Sequence, residues 1–390
     1  MQNFTFHNPT KIIFGKDTIG QLGLEAKPYG QKALFIYGQG AIKRIGVYDQ
    51  AVASLKAAGI EIVEFSGVRA NPVLSHTQTG IALAKSENVD MVVAVGGGSV
   101  IDEAKAISAG ACSDRNVWEF YTRQSAPERA LPLIAVPTVA ATGSEMNGGT
   151  VITNEETKEK YGWGNPLLAP KVSILDPTTT FTVGPEYTAY AAVDAVTHLL
   201  ESYFTSTDPD TLLQDRYVEG IVRTIIDVTE TMIASPNDYA ARATFMWAAT
   251  LAWNTIAPCG VGPWSLPNHM IGHSMSALFD TPHGASLSIT LSGWLPWYAE
   301  QSEANVRQLA RFGKAVFDIS ESNPKQAAEA AIEALRAWFR RIKSPTTLAD
   351  IKVDDTGLVQ VAENVVICNE HWGQPDYTKD RIIDILKRCR

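Results

Sequence analysis

What the sequence lacks narrows its class first. No run of about 18 apolar residues occurs, so no transmembrane helix is expected. The opening stretch MQNFTFHNPTKIIFGK has no basic segment followed by an apolar one and does not read as a secretory signal; it alternates apolar and polar residues as a strand does. Cysteine is scarce. Cys112, Cys259, Cys368 and Cys389 are widely spaced, with no Cys-x-x-Cys pair, which argues against a disulfide framework or a thiolate zinc site and for reduced thiols in the cytoplasm. A basic surplus is missing too. The 33 Lys and Arg face 42 Asp and Glu, a net charge of −9, so nucleic acid and membrane are not expected partners. Repeats and low-complexity segments are absent. The 45% hydrophobic and 19% charged residues exclude disorder, collagen and coiled coil as the main architecture.

What is there divides in two. The first half alternates β-rich runs, at 32–38, 61–66, 89–96, 131–138 and 171–176, with helical stretches at 47–59, 75–87 and 101–111. Such alternation predicts βαβ units and a parallel, Rossmann-like sheet whose strands are covered on both faces. From about Pro185 onward helical periodicity dominates, at 188–204, 212–234, 239–257, 305–317 and 325–342. The composition shift in LDPTTTFTVGP sets the expected boundary: an α/β dinucleotide-binding domain over 1–180 and an all-helical domain over 181–390, with the active site in the cleft between them.

Three loops carry the first chemistry. In VVAVGGGSVIDEAK, Gly96, Gly97, Gly98 and Ser99 follow a strand and open a helix. Glycines permit close backbone approach, and the helix N-terminus offers free N–H groups and a favourable dipole to a phosphate. Ser99 suits a cap or a phosphate donor. The G-x-G-x-x-G fingerprint is not present, and a plain strand-to-helix turn is the competing reading. The turn IYGQGAIKR places Gly38 and Gly40 after the second strand without an acid to pair a ribose 2′-hydroxyl, while Lys43 and Arg44 are nearby. That favours a 2′-phosphate, hence NADP, unless the two cations form a solvated helix face. The third loop, VPTVAATGSEMN, supplies Thr138, Thr142, Gly143 and Ser144, which line a cofactor site or form an ordinary loop.

Histidine is rare yet clustered. Of seven, His198, His269, His273 and His283 fall within one stretch. Asp194 and His198 are four apart in AAVDAVTHLLES, and so are His269 and His273 in NHMIGHSMSALFDTPHG. Residues so spaced share one helix face. One Asp and several His without thiolate suit Fe(II), Zn(II) or a similar ion. Spacing alone leaves open which four of the five ligate. A metal beside a cofactor suggests a Lewis acid acting on a carbonyl or alkoxide oxygen while a nicotinamide exchanges hydride.

Together, HNPTKIIFGK, GGGSVIDEAK, PTVAATGSE, ILDPT, AAVDAVTHLLES and HMIGHSMSALFDTPHG resemble the iron-containing (group III) alcohol dehydrogenase family nearly end to end. Within it, IYGQGAIKRIGVYDQ and MWAATLAWN look most like the NADP-linked butanol dehydrogenase or aldehyde reductase branch. The resemblance implies a dehydroquinate synthase-like architecture, a homodimer, and a small alcohol or aldehyde substrate such as butanol or butanal. It also implies Asp194, His198, His269 and His283 as metal ligands and His273 as the proton-handling neighbour. Gly96, Gly97, Gly98 and Ser99 match the pyrophosphate loop, Thr138 and Thr142 cofactor contacts, and Lys160 a lysine near the nicotinamide. Gly38 and its neighbours match the turn at the 2′-phosphate. Two departures stand out: Gly38-Gln39-Gly40-Ala41 replaces GGGS, removing one phosphate donor, and Ala141 replaces a glycine. Two rival readings share the scaffold: a non-redox enzyme of the dehydroquinate synthase type and a filament-forming module. The first needs more basic residues for its substrate; Trp247, Trp253 and Trp264 instead offer an apolar wall, or core packing.

Overall fold

The computed structural model describes residues 1–208 and 210–390. Its strands are β1 (Lys11–Phe14), β2 (Lys32–Gly38), β3 (Glu61–Val68), β4 (Met91–Gly96), β5 (Leu133–Pro137), β6 (Gly149–Asn154), β7 (Glu159–Gly164) and β8 (Val172–Leu175). The longer helices are α1 (Val47–Ala57), α2 (Leu74–Ser86), α3 (Gly98–Ala111), α4 (Pro185–Thr205), α5 (Leu212–Ala234), α6 (Tyr239–Ala252), α7 (Pro267–Phe279), α8 (His283–Gln301), α9 (Glu303–Phe317), α10 (Pro324–Arg341), α11 (Asp355–Cys368) and α12 (Lys379–Lys387). They group into two compact units, one of His7–Val183 with Pro236–Asn254, the other of Met1–Phe6, Gly184–Ser235 and Thr255–Arg390.

In the first unit six strands form a parallel sheet in the order β1-β8-β5-β4-β2-β3. The apolar runs that make these strands are buried on both sides. Ala33, Phe35 and Tyr37 face one cluster with Val47, Ala51 and Leu55 of α1, while Leu34 and Ile36 face another with Ile101, Ala104 and Ile107 of α3. The period of two along a strand requires this split. β2 and β4 are neighbours, with Tyr37 opposite Val95, although the chain visits β3 between them. The strand order therefore reverses there, and the loops leaving β2 and β4 flank the switch point where open α/β sheets bind ligands.

Four features of this unit depart from the sequence pattern. β6 and β7 form a separate antiparallel hairpin, turned at Asn154, whose side chain accepts from the backbone N–H of Glu156 at 3.1 Å. And α6, which helical periodicity assigns to the C-terminal half, belongs here. Thr250 donates to Glu145 at 2.5 Å, Asn147 donates to the Trp253 carbonyl at 3.1 Å, and Trp247 meets Phe14 edge to face at 6.1 Å. Periodicity reports that a segment is a helix, not which core it joins. The helix also ends at Ala252, short of the expected 257; Thr255 has φ 73° and Pro258 follows. At the N-terminus the strand covers only Lys11–Phe14. Pro9 has no N–H to give a ladder, and Asn8 donates instead to the Met146 carbonyl at 2.8 Å.

The second unit is helical, with no strand among its described residues. Its helix starts follow from local chemistry. Pro185, Pro267 and Pro324 open helices, Ser302 caps α9 through the N–H of Asn305 at 3.1 Å, and Asp354 caps α11 through that of Gly357 at 2.9 Å. No helix among the described residues is long and apolar enough to cross a membrane.

Candidate metal centre and dinucleotide cradle

The helical unit brings the separated histidines to one carboxylate. Asp194 and His198 lie on α4, His269 and His273 on α7, and His283 opens α8. Asp194 Oδ1 is 3.7 Å from His198 Nε2, 3.7 Å from His269 Nε2 and 3.5 Å from His283 Nε2. Donor atoms of Asp194, His198 and His269 all lie within 4.8 Å of one another. Arms of about 2.0–2.2 Å from one ion would set neighbouring donors of a tetrahedron about 3.3–3.6 Å apart. A carboxylate and imidazoles at these separations, with no thiolate, fit a divalent ion such as Fe(II) or Zn(II).

Burial shapes the donors. It pushes the His198 imidazole down to about 4 against the pull of Asp194, so this ring is neutral at neutral pH. Burial acts the same way on His269, but the Asp194 and Glu201 carboxylates outweigh it and raise that ring to about 9 in the metal-free chain. A metal entering here displaces that proton. The rings of His198 and His269 are stacked, with centroids 4.6 Å apart. His273 is buried beside the cluster, its ring 5.1 Å from that of His283 and 5.0 Å from Trp372.

Sequence reasoning passed over three residues of this centre. Glu201 is buried one further turn along α4 from His198; it accepts from the backbone N–H of His269 at 2.9 Å and bonds His269 Nδ1 at 3.0 Å. Asn268 donates to its other oxygen at 3.2 Å. The i, i+4, i+7 series Asp194, His198, Glu201 was the available signal. Trp372 beside His273 had none. Of the tryptophans proposed as an apolar wall, Trp247 and Trp253 belong to the α/β unit, and Trp264 to the helical one. Gly284, next to His283 in the sequence, has a steric role. A Cβ there would collide with the Tyr190 carbonyl, so only glycine lets the start of α8 rest on α4, one turn from Asp194.

In the α/β unit the glycine loop leads directly from β4 into α3. Gly97 precedes α3 in extended conformation, and no side chain caps the helix. A Cβ at Gly98 would strike Thr142 Oγ1, so the loop passes tightly beneath that threonine. Ser99 does not cap; its hydroxyl donates to the Ala70 carbonyl. The Thr138 N–H donates to the Gly96 carbonyl at 2.9 Å, joining the threonine loop to the glycine loop. Gly38 ends β2 and Gly40 has φ 95° before the helical turn Ala41–Arg44. Lys160 on β7 donates to Asn71 Oδ1 at 3.0 Å. Lys43 is drawn to Glu64 at 3.7 Å, its ammonium 5.0 Å and 4.4 Å from the ring centres of Tyr37 and Tyr48.

Beneath these loops lies a buried network. Lys105 on α3 donates to Ser144 at 2.8 Å, Asn147 at 3.1 Å and the Gly149 carbonyl at 2.7 Å. Ser144 in turn donates to Asp102 at 2.6 Å, and Asp102 accepts the Val151 N–H at 3.0 Å. It fixes the loop after β5 to the first turns of α3.

The profile for iron-containing alcohol dehydrogenases matches residues 9–177, and that for the C-terminal part of the same family matches 188–389. A probable NADH-dependent butanol dehydrogenase of Bacillus subtilis is 42% identical over 391 residues, covering 99% of each chain. An NADPH-dependent aldehyde reductase of Escherichia coli is 34% identical, over 93% of this chain and 96% of its own. The crystal structure of an NADH-dependent butanol dehydrogenase from Thermotoga maritima superposes with a TM-score of 0.95 at 42% identity, covering 100% of this chain and 99% of that one.

Proposed function

The chain belongs to the iron-containing alcohol dehydrogenase family, and from that premise we propose how its residues divide the work of a metal-dependent alcohol dehydrogenase or aldehyde reductase. Asp194, His198, His269 and His283 hold one divalent ion, Fe(II) or Zn(II). The observation that carries this reading is the approach of three imidazole Nε2 atoms to the single oxygen Asp194 Oδ1, at 3.5–3.7 Å. When bound, the ion supplies Lewis acidity toward a carbonyl or alkoxide oxygen, and a nicotinamide supplies or takes the hydride.

The remaining work falls to the chain. Gly96, Gly97, Gly98 and Ser99 present the amides at the start of α3 to the pyrophosphate. Thr138 and Thr142 line the dinucleotide, Lys160 stands toward the nicotinamide, and Gly38 and Gly40 leave room for the adenosine ribose. His273 takes a proton from the alcohol, or returns one to the aldehyde oxygen. Trp372 gives the substrate an apolar neighbour, consistent with a small primary alcohol or aldehyde such as butanol or butanal. NADPH is the reduced cofactor, the assembly a homodimer and the setting the cytoplasm. The test is the purified chain, loaded with Fe(II) or Zn(II), given butanal with NADPH or NADH. Loss of the reduced-nicotinamide absorbance is expected; no loss with either cofactor across a series of aldehydes overturns the reading.

A further inference from the structure

The end of β3 bears on which dinucleotide the cradle takes. β3 pairs Ser66 with Tyr37 and then, after a register shift, Val68 with Gly38. A Cβ at Gly38 would stand 3.5 Å from the Val68 carbonyl. The residue following Val68 is Arg69, so an arginine leaves the sheet beside the Gly38–Gly40 turn. The next residues tie this segment to the rest of the cradle: the Ala70 carbonyl accepts from Ser99, and Asn71 Oδ1 accepts from Lys160 at 3.0 Å. One short loop thus touches the first turn, the glycine loop and Lys160.

Among the cations near that turn, Arg44 and Arg69 are both exposed and unpaired among the described residues, and of the two Arg69 directly follows the strand residue paired with Gly38. Lys43 is already answered by Glu64, whose two oxygens also take the hydroxyls of Tyr37 at 2.8 Å and Tyr48 at 2.5 Å. Arg44 ends the single turn Ala41–Arg44 and is the rival cation that the test below must separate from Arg69. No acid stands between Gly38 and Arg44 to pair a ribose 2′-hydroxyl. A guanidinium presents a planar fork that matches phosphate oxygens.

We infer that Arg69 is the specificity-determining residue of the dinucleotide site, its guanidinium taking the 2′-phosphate of NADPH. The inference rests on the dehydrogenase reading above. It is tested by fluorescence titration of the purified full chain with NADPH and NADH, and by calorimetry with 2′,5′-ADP and 5′-AMP. The wild type binds the 2′-phosphorylated member of each pair about tenfold tighter or more, a margin that shrinks as salt is raised. Arg69→Gln erases the margin while its Kd for NADH stays within about twofold, which also reports that the variant is folded. The inference is overturned by a wild type that binds NADH as well as NADPH, or by Arg69→Gln keeping the wild-type ratio. It is also overturned if the ratio collapses only in Lys43→Gln or Arg44→Gln. A wild type that binds none of the four ligands brings down the dehydrogenase reading itself, a result distinct from binding both dinucleotides alike.

Discussion

Glu201 Oε1 stands 2.9 Å from the backbone nitrogen of His269 and 3.0 Å from its Nδ1. The carboxylate thereby fixes the ring so that Nε2 turns toward Asp194 Oδ1, and it makes that nitrogen more basic. Outer carboxylates of this kind are worth about 10–100-fold in metal affinity. Glu201→Gln keeps the shape but removes the charge, and we expect a loss near the lower end of that range. Glu201→Ala should fall near the upper end. Chelator competition with Co(II) or Zn(II) measures both, and the Co(II) absorption bands report whether the ligand field changes. Equal affinity in wild type and Glu201→Gln would deny Glu201 this positioning role.

His283 and His273 are ring neighbours at 5.1 Å, and the proposed reading gives them different duties. His283 Nε2 lies 3.5 Å from Asp194 Oδ1. His283→Ala should leave the purified protein without its metal. His273→Ala should retain metal and lower kcat by about 10²–10⁴-fold, the range of a lost general acid or base. Elemental analysis beside steady-state kinetics separates them. Metal lost only from His273→Ala would reverse the two roles.

Gly284 makes a third case, because the constraint is steric. Its missing Cβ would collide with the Tyr190 carbonyl on α4. Gly284→Ala forces α8 away from α4, and His283 moves with it. A cost of about 1–3 kcal/mol is expected for such overpacking. Thermal unfolding should show it in the metal-free protein, and metal affinity should fall in parallel. A variant with wild-type Tm and wild-type affinity would mean that the two helices part without effect on the centre.

How much of this was readable beforehand depends on the kind of signal. The Asp194–His198 and His269–His273 pairs are written in i, i+4 spacing, and the parallel strands in continuous apolar runs, so a cluster of candidate donors and the sheet were both legible, while spacing left open which of the five candidates ligate. Glu201 follows the same face rule but sits in HLLES as one acid among many, and nothing local marks it as buried. Helix α6 is legible as a helix, yet its place in the α/β unit rests on Thr250, Trp247 and Trp253 finding partners more than a hundred residues away in the chain. Arg69 becomes interesting only once the register of β3 against Gly38 is known. Local periodicity encodes faces; long-range register and packing decide what each face meets.

Lys105 gives a prediction in stability and pH. Its ammonium is fully buried, with Ser144, Asn147 and the Gly149 carbonyl as acceptors. Replacing it with methionine keeps comparable bulk but strands those acceptors and takes from the Asp102 carboxyl, already raised by burial, the cation that acts on it most strongly. We expect about 3 kcal/mol of lost stability at neutral pH. Lys105→Met with Asp102→Asn should recover part of it, since the second change removes the stranded charge. Burial also pushes the Lys105 ammonium from 10.5 down to about 8, against the pull of Asp102 and Glu145. Between those two values the unfolded chain binds the extra proton, so Lys105 contributes increasing stability as pH rises through that window. Denaturant unfolding across the window should therefore show wild type gaining on Lys105→Met with rising pH. A constant difference between the two proteins would mean that Lys105 remains charged in the fold, held there by its acceptors.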